Sequence, residues 1–112
     1  MSDLHCAATL LVTPSDRVPA LVDELAGARV AHVWSDGTTE THVAARSAAA
    51  RLGVGITERA DVGAHLDEVA DEHRGETVLV VVGAVAGAVA GDAEVTEVRI
   101  DGDGRISRPW RG

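Results

Sequence analysis

Residues 76–91 read ETVLVVVGAVAGAVAG, in which an apolar strand pattern from Thr77 to Val82 runs into Gly83 and then into a stretch of glycine, alanine and valine. A continuous apolar run of this kind marks a strand covered on both faces, as in a parallel sheet. The small residues after it predict a turn and a helix lying close on that sheet. Such strand ends are where open α/β sheets place ligands, because backbone N–H groups and unfilled space converge there. Yet no Ser, Cys, His, Lys or acidic residue occurs from Val80 to Gly91. The stretch has the form of an active-site strand end without a reactive side chain.

Outward from this strand the chain alternates strand and helix. Ala7 to Val12 is an apolar run closed by Pro14 and predicts a buried first strand. A helix follows directly. Ser15 or Asp16 can cap it, Pro19 suits its first turn, and Val18, Leu21, Val22 and Leu25 recur at helical spacing before Gly27. Arg29 to Trp34 predicts a second strand, Ser35-Asp36-Gly37 a turn, and Thr39 to Leu52 an alanine-rich helix ended by Gly53. A short strand from Val54 to Thr57 and a helix from Asp61 to Arg74 precede the strand at Thr77. The helix shares Val62, Leu66, Val69 and His73 on one face. After residue 91, Glu94 to Ile100 alternates like a half-buried strand, and Asp101-Gly102-Asp103-Gly104 turns it into a partner, Arg105 to Trp110. Pro109 puts that partner at a sheet edge, since proline donates nothing to a ladder. The expected fold is a three-layer α/β/α sandwich with a mostly parallel central sheet and a terminal β-hairpin, all in one domain, 1–112.

Three segments, in order, resemble the histidine phosphatase (phosphoglycerate mutase-like) superfamily. ATLLVTPSD is similar to that family's opening LLLVRHGET. VWSDGTTETHVAARSAAARLGVGITERADV is similar to its SSDLxRAxxTAxxxAxxLGL helix, and TVLVVVGAVAGAVA to its later TVLVVSHGGVIRAL. Together they span most of Ala7 to Ala90. The resemblance implies a truncated, degenerate member, because the family's reactive residues do not carry across. Where the nucleophilic histidine and its preceding arginine would stand, this chain has Thr13 and Pro14, followed by Ser15. The arginine of the second motif falls on Thr39 or Glu40, and the second histidine on Gly83, flanked by Val82 and Ala84. Phosphoryl transfer needs positioned cations and donors around the equatorial oxygens and a nucleophile in line. The resemblance therefore implies a vestigial phosphate pocket at Thr13, Pro14, Ser15, Arg17, Ser35, Asp36, Gly83 and Ala84, and no catalytic residue.

Composition bounds what else the chain can be. At 112 residues and 46% hydrophobic content it can bury a core without disulfides, and its single Cys6 cannot form one internally. Phe and Tyr are absent, which leaves Trp34 as the expected large aromatic filler. A net charge of −8 without a single lysine opposes nucleic-acid binding, which relies on clustered cations. No export signal opens the chain, and Val78 to Ala90 is shorter than the roughly 20 residues a membrane helix needs. A cytoplasmic protein with no membrane role is expected.

Other patterns read as structure. His65 and His73 are about 12 Å apart along one helix, too far to share an ion, so neither a metal nor a cofactor is expected. Asp101 to Gly104 lacks the further ligands of a calcium loop. Ser15 and Ser35 lack the flanking glycines of a nucleophile elbow and are read as caps. Cys6 is read as a small hydrophobe at a strand start, with a reactive thiol as the alternative. Gly83, Gly87 and Gly91 recur every fourth residue and serve either helix-on-sheet packing or a candidate interaction face for a protein partner or a second copy. The expected function is a catalytically inactive, protein-binding module. The competing reading is a small enzyme or anionic-ligand domain using Arg17, Asp36 and a histidine around a cleft near Gly83.

Overall fold

The computed structural model describes residues 7–25, 29–83, 95–101 and 104–109. The expected helix after Gly83, with Ala84, Gly87 and Gly91, lies outside them, as do Cys6, Gly27, the turn residues Gly102 and Asp103, and Trp110. The strands are β1 (Ala8–Pro14), β2 (Val30–Ser35), β3 (Gly55–Glu58), β4 (Thr77–Val82), β5 (Thr96–Asp101) and β6 (Gly104–Pro109). The helices are α1 (Val18–Glu24), α2 (Thr39–Leu52) and α3 (Leu66–Glu72). One sheet holds all the described strands in the order β3-β2-β4-β1-β5-β6.

The sheet is mixed. β3, β2, β4 and β1 run parallel, while β5 is antiparallel to β1 and to β6. β1 and β4 are neighbours in register from Thr9↔Thr77 to Pro14↔Val82, so their carboxyl ends finish together. The resemblance requires this adjacency. At the far edge, Pro109 pairs with Thr96 in a strand that has no further neighbour among those described.

β4 is apolar at every position because both its faces are covered. Val78, Val80 and Val82 pack with Leu10, Trp34, Val98 and Ile100 under Leu66 and Val69 of α3. Leu79 and Val81 pack the other way, with Leu11 and Val33, under Leu21 and Val22 of α1 and Ala45, Ala48 and Ala49 of α2. These layers make the expected sandwich. Trp34, only 5% exposed, is the aromatic filler. On α2 the buried residues Thr41, Ala45, Ala48 and Ala49 follow helical spacing, and their small size brings the helix close to the sheet. Gly53 ends α2 in the left-handed region at φ 73°, its N–H donating to the Ala49 carbonyl at 2.8 Å.

Two helices depart from the sequence pattern. Ser15 to Arg17 form a 3-10 turn ahead of α1, whose N-cap is Arg17 and not Ser15 or Asp16, with no side-chain capping bond. Pro19 lies in the first turn and has no N–H, which removes one of the donors a cap would satisfy. The helix expected from Asp61 to Arg74 is split into a 3-10 turn, Val62–Ala64, and α3, with His65 between them at φ −126°. Gly63 sits in the split and is a weak helix former. Val62, Leu66 and Val69 nevertheless keep one buried face. β2 and β3 each start and end one residue later than the sequence pattern indicates. No helix of the described residues is long and apolar enough to cross a membrane.

Candidate functional site

Parallel pairing gathers the ends of β1, β2 and β4 at one edge of the sheet. Pro14 stands opposite Val82, and Ser35 opposite Val81, so Asp36 and Gly83 leave their strands beside the end of β1 at Thr13 and Pro14. The backbone amide of Gly83 donates to Asp36 Oδ2 at 2.8 Å. Asp36 Oδ1 accepts from the Thr38 amide at 3.1 Å, from Thr38 Oγ1 at 3.0 Å, and from Thr41 Oγ1. One carboxylate thus joins the tip of β4 to the start of α2. Gly37, between Asp36 and Thr38, has φ 86°, and this left-handed turn lets the chain fold back over the carboxylate.

The hydroxyls at this edge are already engaged. Thr13 is fully buried and its Oγ1 donates to the Pro14 carbonyl at 3.0 Å. Ser35, also fully buried, accepts from the Gly37 amide at 3.1 Å and lies 3.4 Å from Thr41 Oγ1. Burial acts to raise the pKa of Asp36. The hydrogen bonds from Thr41, Thr38 and Gly83 outweigh it and hold the carboxyl below its ordinary value of 3.8. Asp36 is therefore an anion at neutral pH, stabilised among the described residues by hydroxyls and amides.

No protein-family profile matches the sequence, and no curated protein does. Among solved structures the chain is similar to a phosphoglycerate mutase from Plasmodium falciparum, with a TM-score of 0.66 at 8% identity over 94% of this chain and 91% of that one. The two share a fold. At that identity the likeness shows the fold alone. It agrees with the resemblance read from the sequence, whose segments lie on β1, on β2 with α2, and on β4.

Of the expected pocket positions, Thr13, Pro14, Ser35, Asp36 and Gly83 come together at the strand ends. Ser15 and Arg17 follow in the 3-10 turn after β1, with Arg17 exposed. Thr39 and Glu40 open α2 and are exposed. Ser35 does not cap the helix, because its hydroxyl serves Gly37 two residues on. Thr38 and Thr41 were missed by the sequence reading, although Asp-Gly-Thr at a strand-to-helix turn is a pattern that folds an aspartate back onto its own backbone. Among the described residues no group of three or more His, Cys, Asp or Glu could hold a metal.

Proposed function

We propose that this chain is a catalytically inactive histidine phosphatase-like protein, cytoplasmic, that works by binding a protein partner or by self-association. The observation that carries the reading is the Asp36–Gly83 hydrogen bond. The Gly83 amide is a donor that a ligand anion at this strand end would use, and the chain's own carboxylate takes it at 2.8 Å. A second anion placed about 4 Å from that carboxylate would meet a repulsion of about 1 to 4 kcal/mol per unit charge, depending on local screening. The same observation counts against an anionic-ligand site near Gly83.

Absent reactive groups support the reading further. Thr13 and Pro14 supply neither a nucleophile nor a phosphate clamp, and Thr13 spends its proton on a neighbouring carbonyl. The test is a p-nitrophenyl phosphate assay together with the molar mass in solution. No turnover above buffer is expected, with either self-association or a stoichiometric co-purifying protein. Turnover that Gly83→Val or Asp36→Ala abolishes would overturn inactivity. A strict monomer that carries nothing from its native cell would overturn the binding role.

A further inference from the structure

A cluster of rings lies on the α3 side of the sheet, away from the strand-end site. Trp34 Nε1 donates to His73 Nε2 at 3.0 Å. His32 stacks on His73 with ring centroids 5.5 Å apart, and Trp34 meets both rings edge-on at 5.9 Å. His73 Nδ1 lies 2.8 Å from Glu76 Oε1, and His32 Nε2 lies 2.7 Å from Thr57 Oγ1.

These contacts fix the tautomer of His73. An indole N–H only donates, so His73 Nε2 must be the unprotonated nitrogen and Nδ1 must carry the hydrogen that Glu76 accepts. A second proton can enter only at Nε2, where it would face the Trp34 N–H. Either ring must then move. Trp34 is walled in by the core at 5% exposure, whereas His73 sits in the turn between α3 and β4. That turn also ties to β1, through Gly75 N–H to the Ala7 carbonyl at 3.2 Å and Thr9 N–H to the Glu76 carbonyl at 2.9 Å.

We propose that His73 is a proton-operated latch: protonation at Nε2 breaks its bond to Trp34 and shifts the turn that joins α3, β4 and the start of β1. The groups facing the pair set how it charges. For His32, burial and then the facing His73 disfavour a cation, while Glu72 and Glu76 favour one, and the balance holds its pKa below 6.5. Thr57 contributes a neutral hydroxyl from β3. The inference is independent of the proposed function, because none of its residues lies at the strand-end site.

The test follows the indole Nε1–H of Trp34 by 1H–15N NMR in Trp110→Phe/His32→Gln, which leaves one tryptophan and removes the second titrating ring beside it, between about pH 8 and 5. The expected result is a single sigmoidal displacement of that resonance, absent in His73→Gln, whose amide oxygen accepts from Trp34 and does not titrate. A resonance that stays fixed while the His73 ring titrates would overturn the latch, as would a displacement that persists in His73→Gln. Ring 15N shifts of the unmutated chain give a separate check. At pH 8 they should show His73 protonated at Nδ1, and the opposite tautomer would also overturn it.

Discussion

Asp36 Oδ2 lies 2.8 Å from the amide of Gly83, a contact across 47 residues of sequence that ties the end of β2 to the end of β4. Removing the carboxylate leaves the amides of Gly83 and Thr38 and the hydroxyls of Thr38 and Thr41 without that acceptor. Asp36→Ala is expected to destabilise the fold by about 1 to 3 kcal/mol, read from urea unfolding midpoints at neutral pH. If the change is within error, the carboxylate only decorates the turn.

Acid should expose the same contact. The folded pKa of Asp36 lies below its ordinary 3.8, so its contribution is complete above that value and disappears as pH falls through the folded pKa. The stability difference between the unmutated chain and Asp36→Asn should therefore shrink as pH is lowered below about 4. A difference that stays constant from pH 6 to 2.5 would contradict it.

His32 acts in the same direction at higher pH. Burial first, then the neighbouring His73, push its pKa below 6.5, while Glu72 and Glu76 pull it back. A base with a depressed folded pKa stabilises the fold fully above the unfolded value and progressively less as pH falls below it. Thermal midpoints should drop on going from about pH 7 to 5, and His32→Gln should flatten part of that drop.

Gly53→Ala tests the end of α2. A Cβ there would meet nothing within 4 Å, so the cost is that of a left-handed backbone at φ 73° and not of crowding. About 1 kcal/mol is expected, measured by thermal or denaturant unfolding.

Leu79→Ala tests the sheet. Leu79 is fully buried in β4 between the layers, and truncating it should cost about 2 to 5 kcal/mol. A loss below 1 kcal/mol would mean that α1 and α2 collapse onto the cavity.

The framework was legible wherever one residue type governs one element. Thr77 to Val82 could only be a strand with both faces covered, and Pro109 could only be an edge. Where several weak preferences compete, the pattern gave less. Asp61 to Arg74 has a continuous apolar face, but Gly63 and the non-helical His65 break the backbone beneath it. At the site, the positions were readable one by one, and their mutual bonding was not. Asp36, Thr38 and Gly83 meet because β2 and β4 are neighbours, a fact of pairing that no local pattern carries.

The double coverage of β4 bears on how far such a chain can drift. The strand order and the packing on its two faces draw on Leu10, Leu11, Val33, Trp34 and the residues from Val78 to Val82, of which only Val82 ends its strand at the site. Substitution at the tips leaves that packing in place and costs only the local bonds made there, such as those of Asp36 to Gly83 and Thr38. A topology held by this packing can be shared at 8% identity across 94% of the chain.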